Sequence, residues 1–455
     1  MLCLWSRHNP NYFQLPAVLL VLTVASVLLQ ACSGPKQALL MPTPTLYEQR
    51  AIDLFPELPP EKQATHIQVF YASGREANPS GERLPYGNAV DSSVHLGKAD
   101  VIFGEGSMSW SELLKASTEA IREKPVTIQL GNTTELADVA KIPVPDNPDS
   151  DQLTPPAQYH PAQQPFFDMI NAQLAHSQVK ELIIYVHGTK VDFLNAVTLT
   201  AEIDHFTGRQ FVTLAYDWSS HQNILDYLVG IDKRRAVHAS YQFKNLLQLL
   251  AEHTDAQKIH EISYSAGGRV VSRALHQLAL EHRDLDKDAL RKHFRIGTVI
   301  FAAADVEVDR FLSRLEDIAS LCEQTVVTVS DADDVLDNAR TLMRGESRVG
   351  STQAEQAEQA FIEKHDLLNV YIVDVSRHKE LRGFNIEGHH YWYRHPWMSS
   401  DVIFLLKHGA PPHERALSRS EEKGIWYFAP DYPDAVKAAA RLRTSTSGEQ
   451  SEVGL

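Results

Sequence analysis

The chain of 455 residues is 43% hydrophobic and 22% charged, the balance of a globular protein and not of a disordered one. Its length allows one large domain or two ordinary ones. A net charge of −15 argues against nucleic acid as the main partner, because phosphate backbones are bound by basic surfaces.

The N-terminus reads as a targeting signal. A polar leader containing Arg7 precedes an apolar run from Ala17 to Leu29. Such a run is short for a membrane-spanning helix, which needs about 20 residues, and suits the core of a signal peptide. Leu29-Gln30-Ala31-Cys32 follows and resembles the bacterial lipobox. In that motif the cysteine thiol accepts a diacylglyceryl group, cleavage exposes its amine, and a fatty acyl group such as palmitate can be added there. Several acyl chains anchor a protein where one does not. Residues 1–31 are therefore expected to be a lipoprotein signal peptide and Cys32 the lipidated first residue of the mature chain. Ser33 in place of Asp resembles the pattern for outer-membrane sorting. Cys322 is then left without a cysteine partner, and an isolated thiol on the apolar helix predicted at "DIASLCEQ" is expected to pack as a small hydrophobe.

Residues 32–64, with "MPTPT" and "FPELPPEK", read as a proline-rich tether, although Leu46 to Leu54 has the makings of a short helix. Residues 65–165 form a lead-in segment. It opens on the alternating run His66–Glu76, continues through strands and a helix near Trp110–Glu123, and ends in a loop with seven prolines from Pro143 to Pro165. From 166 to 441 the pattern alternates helix and strand. "ELIIYVHG", "FVTLAYDW", "KIHEISYSAGG", "RIGTVIFAAADV", "QTVVTVSDADD" and "NVYIVDVS" are apolar strands separated by helical stretches. This predicts a mostly parallel central sheet covered by helices on both faces, with the N-terminal segment as a small added layer. "STQAEQAEQA" at 351–360 reads as an exposed insertion and 442–455 as a disordered tail.

The most informative motif is Ser263-Tyr264-Ser265-Ala266-Gly267-Gly268, between a predicted strand and a predicted helix. It is close to G-x-S-x-G, the sharp strand-to-helix turn that exposes a nucleophilic serine. The strained turn demands small neighbours two positions away. Gly267 meets the demand, and Ser263 stands in for the first glycine. Ser265 is thus the candidate nucleophile. Its partners should follow in the order acid, then histidine. The strand ending "VIFAAAD" offers Asp305, and "TVVTVSDADD" offers Asp331, Asp333 and Asp334. The second strand after the nucleophile is the usual source, which favours Asp333. A late histidine must come from "IEGHHYWYRHP", with His389, His390 and His395 as candidates. Their spacing does not support a metal site, and nothing in the sequence implies a cofactor. One oxyanion-binding N–H should come from Ala266 and the other from Thr189 or Lys190, after the strand "IIYVHG". His187 in that strand reads as a buried residue that fixes the loop.

From His66 to Gly409 these segments resemble a bacterial α/β-hydrolase family of unknown function within the esterase and lipase superfamily. The resemblance is carried by "VFYASGRE", "YGNAV", "IIYVHGTKVDF", "LAYDWSS", "IHEISYSAGGRVV", "FAAADVEVDRF", "VSDADDVLDNAR" with "SRVG", and "YIVDVS" with "GHHYW". It implies the α/β-hydrolase fold, with Ser265, Asp333 and His389 as a triad. The chain departs from that pattern in having Tyr264 where histidine is usual and Ala266 where methionine is usual.

The resulting expectation is a lipid-anchored serine hydrolase of the bacterial cell envelope, on the outer membrane. Its domain would stand in the periplasm or at the cell surface and cleave a small carboxylic ester. The competing expectation is a non-catalytic binding or scaffold lipoprotein on the same fold.

Overall fold

The computed structural model describes residues 38–452 apart from position 57, residues 80–82, 140–152, 154, 156–157, 223–230, 331–346, 352–354 and 377–389. The chain opens with strands β1 (Ala38–Leu39), β2 (His66–Ala77) and β3 (Tyr86–Phe103), helix α1 (Trp110–Thr118) and strand β4 (Thr127–Val139). Helix α2 (Gln164–His176) then leads into β5 (Glu181–Val186), α3 (Phe193–Phe206), β6 (Val212–Asp217), α4 (Ile231–His253), β7 (Lys258–Tyr264) and α5 (Gly267–Glu281). Next come α6 (Lys287–Phe294), β8 (Ile296–Ala302), α7 (Val308–Leu321), β9 (Cys322–Val329), α8 (Glu355–Lys364) and β10 (Val370–Asp374). The last elements are α9 (Tyr391–Arg394), α10 (Pro396–His408), β11 (Ser418–Arg419), β12 (Trp426–Tyr427) and α11 (Tyr432–Glu452).

Among the described residues the strands join one twelve-stranded sheet in the order β1-β4-β3-β2-β6-β5-β7-β8-β9-β10-β12-β11. The stretch from β2 to β12 is parallel, and antiparallel pairs close both edges. Parallel strands need covered faces, and β6 and β8 are buried along their whole length. Leu182, Ile184, Val186 and Ile259 pack on one face with apolar residues of α2, α4, α5 and α7. Ile183, Tyr185, Ile262 and Tyr264 pack on the other with α3, α9, α10 and α11. This two-residue alternation is the strand pleat displayed across a doubly covered sheet.

Four expectations are corrected. Residues 65–165 do not form a separate layer. Phe70 to Ser73 of β2 pair in parallel with Leu214 to Asp217 of β6, so the N-terminal strands extend the central sheet. The proline-rich stretch is not a tether from Ala38 onward. Leu46, Tyr47 and Leu54 are buried, the Tyr47 hydroxyl donates to the Phe206 carbonyl at 2.8 Å, and Leu46 N–H donates to Ser400 Oγ at 3.0 Å. Its prolines prevent a long helix but leave apolar side chains that a ready-made helix surface can bury. Helix α8 is likewise docked, with Glu355, Glu358 and Ile362 buried and Glu355 paired to Lys423. The C-terminal helix α11 runs to Glu452, through most of the segment expected to be disordered. Cys322 packs as expected, although it opens β9 and does not lie on the helix. Its thiol donates to the Ile318 carbonyl, and burial pushes its pKa up to about 12.

One residue contradicts the apolar logic of the core. Glu261 lies in the middle of β7, opposite Ile184 and Val299, and is fully buried. Neither of its carboxylate oxygens has a hydrogen-bond partner among the described residues. Burial raises its pKa from 4.5 to about 8. Between those values the folded state holds a proton that the unfolded state has lost, so stability falls as pH rises, by up to about 1.4 kcal/mol per pH unit. Glu261→Gln cannot titrate. Its gain in melting temperature over the parent is therefore expected to grow from pH 4.5 to pH 8. Calorimetry across that range checks this, and parallel curves for the two proteins would refute it.

Candidate active site

The strand order places a topological switch between β5 and β7. From β5 the chain moves outward to β6, then returns to lay β7 on the other side of β5. In open α/β sheets the loops that leave the carboxyl ends of two such strands diverge and open a crevice. Val186 and Ser263 are in register at this point, so the loops after both strands start side by side.

Ser265 lies on the turn from β7 into α5 with φ of 51°, a left-handed conformation that costs a non-glycine residue about 1–3 kcal/mol. Three backbone hydrogen bonds hold it there. Its N–H donates to the Ala302 carbonyl at 3.0 Å, and its carbonyl accepts from Gly268 N–H at 3.0 Å and Asp305 N–H at 3.1 Å. The glycines of the two loops allow the close approach. A Cβ on Gly267 would lie 2.5 Å from the Val186 carbonyl oxygen, and one on Gly188 would lie 2.9 Å from Ser265 Cβ. Ser263, in place of the usual first glycine, is accommodated because its hydroxyl donates to the Ile300 carbonyl at 2.9 Å.

The loop after β5 is built with equal constraint. Lys190 has φ of 57°, and its N–H donates to the His221 carbonyl at 3.2 Å. Asp232, in the first turn of α4, accepts from the Thr189 hydroxyl and from His221 N–H, the latter at 2.9 Å. Among the described residues no acceptor stands in hydrogen-bonding position to the N–H of Thr189 or of Ala266. His187 is buried under this loop, as expected. Its Nδ1 lies 2.7 Å from the Gly188 carbonyl and its Nε2 lies 3.2 Å from Asp217, while its ring stacks on Trp218.

Asp217 is also bound by Arg75 Nε at 2.8 Å and by the Ser73 hydroxyl at 2.8 Å. Burial raises the Asp217 carboxyl, but Arg75 first and His187 next outweigh it and hold the pKa below the usual carboxylate value. The other end of the Arg75 guanidinium donates to the Val191 carbonyl at 2.6 Å. One buried ion network thus fastens the loop to β2 and β6. The sequence signal was a charged residue inside each of two apolar strand runs, "VFYASGRE" and "LAYDWSS".

The carboxylate alternatives differ in their surroundings. Asp305 is buried after β8, 3.3 Å from Arg269 and 3.3 Å from Arg348. Glu307 joins the same cluster, 2.5 Å from Arg269, 2.9 Å from Arg348 and 2.7 Å from Lys233. Burial opposes ionisation of Glu307, yet Arg269, then Arg348 and Lys233, hold it well below the usual carboxylate range. Asp333 lies outside the described residues, as do His389 and Cys32. Of the other histidines, His395 is buried at the start of α10, where Nδ1 accepts from Trp397 N–H at 3.2 Å, and burial lowers its pKa to about 4. It is a neutral helix cap. His390 places Nδ1 2.6 Å from the Tyr264 hydroxyl and 3.0 Å from that of Tyr393. A buried serine–histidine pair away from this turn, Ser117 with His205 at 2.7 Å, has an arginine in the acid's place, since Arg209 lies 3.2 Å from His205 Nδ1. A cation there opposes imidazolium formation, so this pair is structural. Among the described residues no group of three or more His, Cys, Asp or Glu is placed to hold a metal ion.

Asp217→Asn leaves Arg75 buried without its counter-charge. It is expected to lower the unfolding free energy by about 3–5 kcal/mol. Glu119→Gln, which breaks the more exposed Lys115–Glu119 pair, should change it by less than about 1 kcal/mol. Urea denaturation measures both, and similar losses in the two variants would show that the network does not fasten the loop.

No protein of curated function matches this chain. Residues 163–403 match the model of an alpha/beta hydrolase family of unknown function (DUF900), over half the length of the chain. That span runs from the turn before α2 into α10 and includes both loops of the crevice. The chain belongs to this alpha/beta hydrolase family.

Proposed function

We propose that this protein is a membrane-anchored serine hydrolase that cleaves a carboxylic ester with Ser265 as nucleophile. The observation that carries the reading is Ser265 in a left-handed turn at the switch point, closely approached by Gly188 of the facing loop. Strain of this kind persists where the surroundings over-determine it and is concentrated at active sites. In the proposed reaction Ser265 Oγ attacks the ester carbonyl while His389 takes its proton. The oxyanion is held by the N–H groups of Ala266 and Thr189, and the alcohol leaves with the proton returned by His389. Water then repeats the sequence on the acyl-enzyme. Asp333 orients the imidazole and stabilises its charged form. The engagement of Asp305 by two guanidinium groups supports Asp333 over Asp305 in this role. The engagement of the Lys190 N–H by His221 supports Thr189 over Lys190 as the second donor.

The anchor belongs to the same proposal. The sequence from Leu29 to Cys32 supports cleavage before Cys32 and its lipidation, which would place the domain on the outer membrane, in the periplasm or at the cell surface. Among the described residues no helix is long and apolar enough to cross a membrane. Cys32→Ser is expected to release the protein from membranes or to stall its processing, and unchanged fractionation and migration would refute the anchor.

A fluorophosphonate probe tests the chemistry. The parent should be labelled on Ser265, and Ser265→Ala should not be labelled. Asp333→Asn is expected to reduce turnover of a generic ester by about 10⁴-fold, and Asp305→Asn by much less. A parent that resists the probe would favour the non-catalytic scaffold reading. The opposite ranking of the aspartates would move the acid to the end of β8.

A further inference from the structure

We propose that the cleft at the amino ends of β2 and β6 binds an amphipathic organic cation, a primary amine on an apolar chain, with Asp204 as its counter-ion. The cleft lies at the opposite end of the parallel strands from Ser265 and is independent of the hydrolase reading. Its volume is about 950 Å³, within the roughly 300–1,000 Å³ usual for small-molecule sites. The walls come from the first residues of β2 and β6, the end of β3, the first half of β4 and helix α2. Ile102, Met169, Phe211 and Val212 give it apolar surface. Asp204 and Arg209 line it from the turn that ends α3.

Asp204 stands in the last turn of α3, where the helix carbonyls already carry partial negative charge and a cation is the favoured group. It is only 7% exposed. Its backbone carbonyl accepts from Arg209 N–H at 2.8 Å and from the Thr207 hydroxyl at 3.0 Å, but among the described residues its carboxylate has no hydrogen bond and no ion pair. Arg209, the nearest candidate in sequence, is committed elsewhere. Its guanidinium donates to the Lys62 and Ala64 carbonyls at 2.7 and 2.9 Å, meets His205 Nδ1 at 3.2 Å, and lies 4.8 Å from the centre of the Trp110 ring. Burial raises the Asp204 carboxyl to about 7, and the charges of Arg209 and Lys62 offset that rise only in part.

A carboxylate removed from water without a partner is costly, and a donor from outside the chain removes that cost. A metal ion would need several ligands, and among the described residues no group of three or more His, Cys, Asp or Glu is placed to supply them. An ammonium group can be held by one carboxylate through a charge-assisted hydrogen bond, while the apolar walls take the chain attached to it. Glu61 and Asp100 also line the cleft, so among the described residues three carboxylates face the two cations Lys62 and Arg209. Helix end, carboxylates and apolar surface thus converge on one kind of ligand.

Titration calorimetry at pH 8 tests this with n-hexylammonium chloride, 1-hexanol and sodium hexanoate as probes. At that pH Asp204 is mostly ionised and the amine is still protonated. Hexylammonium is expected to bind the parent at least about 10-fold more tightly than the alcohol or the hexanoate anion. Asp204→Asn keeps the shape and removes the charge, so hexylammonium should then bind no better than 1-hexanol. Ala172→Trp, at an exposed position of α2 on the cleft wall, should weaken hexylammonium and 1-hexanol alike by about 10-fold or more. Asp204→Asn should also melt no lower than the parent at pH 8, because it removes a buried charge that the fold does not satisfy. A marked loss of stability, or failure of this variant to fold, would show that the carboxylate is satisfied within the chain and would overturn the proposal. So would a parent that ignores hexylammonium, or binding that Asp204→Asn or Ala172→Trp leaves unchanged. Ser265→Ala keeps the two readings apart. It should bind hexylammonium as the parent does whether or not the hydrolase reading holds, and loss of binding in Ser265→Ala would move the amine to the crevice and refute the site at Asp204.

Discussion

The close approach of two loops at the carboxyl ends of β5 and β7 is the constraint on which the site depends. Val186 and Ser263 are paired in the sheet, and α5 begins with Gly267 pressed against the Val186 and His187 carbonyls. Ser265 is left in a backbone conformation it would not choose in isolation, held by bonds to Ala302, Gly268 and Asp305. Any side chain at position 188 or 267 would drive the loops apart. The direction of α5 and the left-handed conformation of the serine thus go with one packing contact.

Two buried charge clusters keep that contact rigid from opposite sides. Arg75, Asp217 and His187 tie the β5 loop to strands β2 and β6. Arg269, Asp305, Glu307 and Arg348 tie the first turn of α5 to the segment after β8 and to the chain around Val349, whose N–H donates to the Val306 carbonyl at 3.0 Å. Buried ion pairs are weak sources of net stability because desolvation offsets their attraction. They are good sources of geometry, since each carboxylate requires its partner in one place. Their position around a strained turn fits a site in which placement matters more than overall stability.

The N-terminal region completes the hydrolase sheet. Strand β2 joins it directly beside β6 and supplies Ser73 and Arg75 to the network under the β5 loop. The proline-rich stretch that follows β1 then covers α3 and α10, with Tyr47 hydrogen-bonded to the end of α3. Residues outside the matched span of the family model therefore hold part of the site in place.

Local pattern in the sequence determined the elements that depend on local physics. The largely apolar runs of β5 to β10, separated by helical stretches, read as doubly covered parallel strands. The small residues around Ser265 could be read as a sharp turn between a strand and a helix, and His187 as a loop-fixing residue. The histidine candidates could not be ranked by pattern, because "GHHYWYRH" offers three with similar neighbours. Tertiary packing sent His395 to a helix cap and His390 to Tyr264. Pairings such as Arg75 with Asp217, or Asp305 with Arg269 and Arg348, join residues between 36 and 142 positions apart. No periodicity encodes such a pair, since a charged side chain finds its partner only after the sheet has formed. For the same reason the prolines after Ala38 suggested a tether, while only the assembled surface of α3 and α10 offered Leu46 and Tyr47 somewhere to be buried.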